Sequence, residues 1–145
     1  MKLQPGMTAL VTGAVSGLGE ASAIALLERG LNVVAVDLND ERGAAMEAKY
    51  PGRLRYVKAD VSDEAQMQAA VAAAEAFGNF RALVHCAGIG GPLRLIEKDG
   101  SPGSLDKYTG IVRVNLIGTF NTLRLAAASM ARNEPVQGER GACVL

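Results

Sequence analysis

The stretch Thr12-Gly13-Ala14-Val15-Ser16-Gly17-Leu18-Gly19 restricts what this chain can fold into more than any other. Three glycines lie between an apolar run, Met7 to Val11, and a segment of helical composition, Glu20 to Arg29. A strand that turns straight into a helix leaves the first helical N–H groups without partners. The helix dipole adds partial positive charge there, so an anion is welcome. On this reading Gly13 makes the turn, Gly17 lets a pyrophosphate approach the backbone, Gly19 packs helix against sheet and Ser16 caps the helix, with Leu18 completing the loop. The spacing T-G-x-x-x-G-x-G is not the common G-x-G-x-x-G, because Val15 and Leu18 stand where that pattern has glycines. An ordinary tight turn also fits the loop taken alone.

Hydrophobic periodicity supplies the context. It predicts strands over 8–12, 32–37, 54–59, 82–86 and 142–145, with helical patterns between them. Val33-Val34-Ala35-Val36 is apolar on both faces, as suits a central parallel strand covered by helices on both sides. Leu54-Arg55-Tyr56-Val57-Lys58 alternates instead, which suits a strand nearer an edge. Over 63–77, Met67, Ala70, Val71, Ala74 and Phe77 recur at helical spacing, with Ser62 available as N-cap. A long helix is expected over 105–132, ended by Asn133-Glu134-Pro135. Strand and helix in alternation give an α/β fold with a doubly wound parallel sheet, a Rossmann fold incomplete at its C-terminal side. Residues 1–145 form one dinucleotide-binding domain.

Composition narrows the partner. Fifteen basic residues balance fifteen acidic ones, and no basic cluster interleaved with aromatics occurs, so neither nucleic acid nor an anionic membrane surface is indicated. The N-terminal apolar run is too short for a signal-peptide core or a membrane span, and a cytoplasmic protein with a small-molecule substrate is expected. Cys86 and Cys143 sit in apolar, strand-like runs as small hydrophobes, with no neighbouring ligands for a metal. The Gly- and Pro-rich stretch 88–104, carrying Arg94, Glu97, Lys98 and Asp99, follows a strand's carboxyl end and reads as either a substrate loop or a plain solvated one.

Further candidates fall in phase with the glycine loop. Asp37 closes the second strand eighteen positions after Gly19, where a carboxylate accepts hydrogen bonds from an adenosine ribose. A 2′-phosphate facing that carboxylate at roughly 4 Å, with an effective dielectric near 20, would be repelled by at most about 4 kcal/mol, about a thousandfold in affinity. NAD is therefore favoured over NADP. Asp60 and Val61 end the third strand, where the Asp can bond the adenine amino group and the Val offers an apolar wall. Asp60-Val61-Ser62-Asp63 also reads as a plain helix start. Cys86-Ala87-Gly88 ends the fourth strand with small residues that leave room for the cofactor's ribose.

Thr12-Gly13-x-x-x-Gly17-x-Gly19, Asp37, Asp60-Val61, Cys86-Ala87-Gly88 and Val114-Asn115-Leu116-x-Gly118 together resemble the short-chain dehydrogenase/reductase family over essentially the whole chain. Within it, Val114 to Asn121, Arg124-Leu125, Asn133-Glu134-Pro135, Gln137-Gly138, Arg140-Gly141 and Cys86 to Ile89 resemble the type-II 3-hydroxyacyl-CoA dehydrogenases. The resemblance implies hydride transfer between NAD and a secondary alcohol or ketone. It also implies a tyrosine as general acid/base, a lysine that lowers its pKa and a serine that polarises the carbonyl. Asn115 matches the family's fourth catalytic residue, which helps hold a water in the proton relay. From the residues alone, Asn115 shares a helical face with Tyr108, Ile111, Val112, Thr119 and Leu123, so it is expected to be buried, either as a catalytic group or as a structural Asn bending the helix. Helices like 105–132 pair across subunits in the family, which implies a homo-oligomer, a dimer or tetramer.

The chain departs from the family at two points. His85, its one histidine, stands where asparagine is common and reads as a strand residue with a local hydrogen bond. No Tyr-x-x-x-Lys is present: Tyr108 precedes Val112 and Tyr56 precedes Asp60 at that spacing. The expectation is an inactive N-terminal portion of a longer enzyme, with a non-catalytic dinucleotide-binding or assembly module as the alternative.

Overall fold

The computed structural model describes residues 2–145. Strands β1 (Thr8–Thr12), β2 (Asn32–Asp37), β3 (Leu54–Lys58), β4 (Phe80–His85) and β5 (Ala142–Val144) form one parallel sheet in the order β3-β2-β1-β4-β5. The chain therefore leaves β1 toward one edge for β2 and β3, then returns to β1's other side for β4. That reversal opens a crevice at the carboxyl ends of β1 and β4, the place where such sheets bind ligands.

Alternation in the strands feeds two cores. Ala9, Val11, Val33 and Ala35 face α1 (Gly17–Glu28) and α2 (Asp40–Lys49), meeting Ala23, Leu26, Leu27 and Met46. Leu10, Val34, Val36 and Leu83 face the other way. They meet Met67, Ala70 and Ala74 of α3 (Glu64–Phe77), and Ala126 and Met130 of a long helical arm. Central strands buried on both faces are apolar through their middles, as β1 is over 9–11 and β2 over 33–36; β3, at the edge, is not.

The expected elements are present, β1 and β2 with the expected bounds and others with shifted ones. Strand β4 starts at Phe80 and ends at His85, not over 82–86, because Phe80 already pairs with Thr8 across an irregular register. Strands β3 and β5 stop one residue short of the expected 59 and 145. Asp63, not Ser62, caps α3: its carboxylate accepts from the Gln66 amide at 2.9 Å, while Ser62 donates its hydroxyl to Asp60. The arm expected over 105–132 ends at Met130 and is not one regular helix. A π-helical segment, Arg113–Gly118, interrupts it between α4 (Leu105–Val112) and α5 (Thr119–Met130).

Candidate cofactor site

The strand ends at the crevice surround a pocket of about 420 Å³. Gly13, Ser16, Gly17, Leu18 and Gly19 line it from the loop after β1, Asp37 from the end of β2, Asp60 and Val61 from beyond β3, and Cys86, Ala87 and Gly88 from beyond β4. Candidate residues from four separate stretches of sequence thus converge on one cavity. Val36, Leu38, Ala59, Ile89 and Val114 line it too, and of these the sequence marks Ile89 and Val114 as members of the motifs Cys86 to Ile89 and Val114 to Asn121. Val36, Leu38 and Ala59 are not candidates from the sequence and are recognisable only as neighbours of Asp37 and Asp60.

The glycine loop is shaped by close approach. A Cβ on Gly19 would lie 2.0 Å from the carbonyl oxygen of Gly13, so no larger residue fits there. Gly17 has φ +52 and open space where a Cβ would stand, which leaves its backbone accessible from the pocket. Ser16 occupies the N-cap position in extended conformation, but its side chain makes no cap bond, contrary to expectation. Its carbonyl accepts from Glu20 N at 3.1 Å, and among the described residues no protein acceptor meets the amides of Gly17, Leu18 or Gly19. Three unpartnered amides at the N-terminus of a 12-residue helix fit the charge and reach of a pyrophosphate.

Asp37 is fixed by the backbone. Its Oδ1 accepts from Leu38 N at 2.8 Å and Asn39 N at 3.2 Å, and its Oδ2 from Val15 N at 3.3 Å. It is not the cap of α2, which is Asn39. Asp60 shows the turn geometry of a helix start: Oδ1 accepts from the amide and hydroxyl of Ser62 at 2.8 and 2.7 Å. Its other carboxylate oxygen has no protein partner among the described residues.

Asn115 lies in the π segment and is exposed, not buried as its helical face suggests. Its amide is nevertheless paired at both ends, donating from Nδ2 to Ile89 O at 2.8 Å and accepting at Oδ1 from Ile89 N at 2.9 Å. This strand-like pairing pins the start of the 88–104 loop, where it leaves the pocket, to the helical arm. His85 ends β4 at 7% exposure, and burial lowers its pKa below the ordinary histidine value. Both ring nitrogens are engaged, Nδ1 with Thr12 Oγ1 at 2.8 Å and Nε2 with Thr119 Oγ1 at 3.0 Å. Cys86 and Cys143 are free thiols, partly buried and exposed respectively.

Tyr56 is unsuited to proton transfer. Burial, reinforced by its bond to Asp40, pushes its pKa up to about 12, the reverse of an activated phenol.

The short chain dehydrogenase pattern matches residues 7–144 of this chain. The chain belongs to that family. The 3-hydroxyacyl-CoA dehydrogenase type-2 of Bos taurus is 39% identical over 142 residues, covering 96% of this chain and 54% of the relative. The human protein of the same name is 38% identical over the same shares. The crystal structure of a 3-hydroxyacyl-CoA dehydrogenase type-2 from Mycobacterium avium superposes with a TM-score of 0.90 at 39% identity, covering 95% of this chain and 55% of that one. D-threitol dehydrogenase from Mycolicibacterium smegmatis reaches 40% identity over 119 residues, so percentage identity by itself does not select a substrate. The chain spans about half the length of the curated relatives it matches. Among the described residues, no helix is long and apolar enough to cross a membrane.

Proposed function

We propose that this chain supplies the dinucleotide-binding half of an NAD-dependent oxidoreductase acting on a secondary alcohol or ketone, with a 3-hydroxyacyl-CoA as the first-choice substrate. The observation that carries the reading is the open amide cradle of Gly17, Leu18 and Gly19 facing the same pocket as the carboxylate of Asp37. NAD, when bound, supplies the hydride acceptor. The cradle amides with Gly13 and Ser16 hold its pyrophosphate, Asp37 binds the adenosine ribose, Asp60 and Val61 flank the adenine, and Cys86, Ala87 and Gly88 border the second ribose. Asp37 favours NAD because its fixed carboxylate repels a 2′-phosphate. Asn115 is the catalytic candidate of this chain, and no tyrosine here is assigned the proton transfer. The substrate preference rests on the names of the relatives. The exposed apolar side chains of the helical arm support a homo-oligomer.

The test is NADH formation by the intact protein supplied with NAD and 3-hydroxybutyryl-CoA, against a panel of hydroxysteroids and simple secondary alcohols. Turnover of the CoA ester supports the reading, and turnover confined to the panel overturns the substrate assignment. Calorimetric binding of NAD with no turnover of any substrate would instead make the protein a binding or assembly module. That alternative draws on the lack of a Tyr-x-x-x-Lys pair in these residues.

A further inference from the structure

We propose that His85 is a positioning residue of this site: a neutral imidazole protonated on Nε2 that ties the glycine-loop strand to the backbone carbonyl of Asn115. The proposal rests on the protons available along one chain of hydrogen bonds. Thr119 Oγ1 lies 2.6 Å from the Asn115 carbonyl oxygen, which can only accept, so the single hydroxyl proton of Thr119 points there. Thr119 Oγ1 therefore meets His85 Nε2 as an acceptor, at 3.0 Å, and Nε2 must carry hydrogen. At the other end, Thr12 Oγ1 accepts from Ala87 N at 3.2 Å, and its own proton has His85 Nδ1, at 2.8 Å, as its one acceptor among the described residues.

One tautomer satisfies every link. The Nε2–H imidazole accepts at Nδ1 and donates at Nε2, and it is neutral. An imidazolium would turn an N–H against Thr12 Oγ1 and leave the hydroxyl proton of the fully buried Thr12 without its acceptor. The groups facing the ring are the hydroxyls of Thr12 from β1 and Thr119 from α5, neither of which titrates, and burial accounts for the lowered pKa.

The consequence is mechanical. Thr12 and Ala87 belong to the strand ends that wall the pocket, whereas Asn115 belongs to the π segment and clamps Ile89 at the pocket's border. His85 joins the two walls through residues 73 and 34 positions away in sequence. An effect of His85 on turnover rests on the oxidoreductase reading; its tautomer does not.

Two measurements on the intact protein test this. Long-range proton–nitrogen correlation spectra, with the His85 signals identified by their loss in His85→Asn, are expected to show a neutral Nε2–H ring that stays neutral below the ordinary histidine titration. Thr119→Val should shift both the Nε2 signal and the Ile89 amide. A ring protonated on Nδ1, an ordinary titration, or an Ile89 amide unmoved by Thr119→Val overturns the proposal. In turnover assays, Thr119→Val and His85→Asn are expected to lower kcat about three- to tenfold while the KM for NAD stays within about twofold. His85→Gln, whose side-chain N–H can replace Nε2, should recover part of that loss. Equal losses in all three variants, or losses confined to KM, also overturn it. A wild-type protein without turnover refutes the oxidoreductase reading, and the spectra then still decide for or against His85.

Discussion

Asp37 has both carboxylate oxygens held by backbone amides, so it meets a ligand without first having to be ordered. Asp37→Ala should weaken NAD binding about ten- to a hundredfold, the worth of hydrogen bonds to a charged group, and should narrow the preference over NADP. Calorimetry with both dinucleotides measures this, and an unchanged preference removes Asp37 as the ribose ligand. Gly19→Ala places a methyl group 2.0 Å from the Gly13 oxygen, and the forced shift should cost about 1 to 3 kcal/mol of stability in denaturant titration. The linkage at His85 has a definite sign. Its folded pKa lies below the reference 6.5, so as pH falls past that value the unfolded chain takes up a proton that the folded chain refuses. Stability should therefore decline with acid at up to about 1.4 kcal/mol per pH unit from this group, and His85→Gln should remove that slope from stability curves between pH 7 and 5. The place of Asp37 in the pocket lining is legible in the sequence because it depends on ending one strand in phase with one loop. The part played by His85 is not, because Thr12 and Thr119 come within reach of it only after the sheet and the arm have packed.

The helical arm shows where periodicity stops being informative. Apolar spacing over 105–132 correctly indicates helix, yet a π segment widens the turn by a residue and rotates the next turns of the arm, and no residue type announces it. Regular helical spacing puts Asn115 on an apolar face, yet that face is not buried: α4 has no buried residue and Asn115 itself stands exposed. The same segment brings Gly118 against the stretch that follows β3: a Cβ there would lie 2.6 Å from Val61 Cγ2. Just beyond, buried Asn121 donates to the Val61 carbonyl at 2.9 Å. Gly118→Ala should lower Tm by several degrees through overpacking against Val61, a pocket residue. Trimming the partner in Gly118→Ala/Val61→Ala should recover stability relative to the sum of the single changes. Strict additivity in the thermal melts would show that the contact does not control how closely the arm sits. Asn121→Ala, by contrast, leaves a carbonyl short of its donor and should cost about 1 to 3 kcal/mol with no rescue from Val61→Ala.

At the scale of the whole molecule, the parallel α/β architecture and the pocket location are legible because each depends on the alternation of apolar runs and on the residues that end them. Whether the arm pairs with a second copy is not, since a helix's outer face records a partner only as exposed apolar area. Leu105, Tyr108, Leu116, Ile117 and Phe120 are between 54% and 73% exposed, and Leu116 and Phe120 stand one turn apart. Large apolar side chains grouped on one element mark a contact surface when single ones would not. A second copy of the arm is the occupant that the homo-oligomer reading assigns to it. Leu116→Glu/Phe120→Glu puts two like charges on that face and, repeated across a symmetric contact, opposes them to their own copies. Sedimentation velocity of the intact protein is expected to show the wild type as a dimer or tetramer and the variant as smaller species, with circular dichroism unchanged. If the wild type sediments as a monomer, the arm does not join copies of this chain. If the variant loses its helical signal instead of its partners, the face is buried within its own subunit, and the charges have been placed in a core.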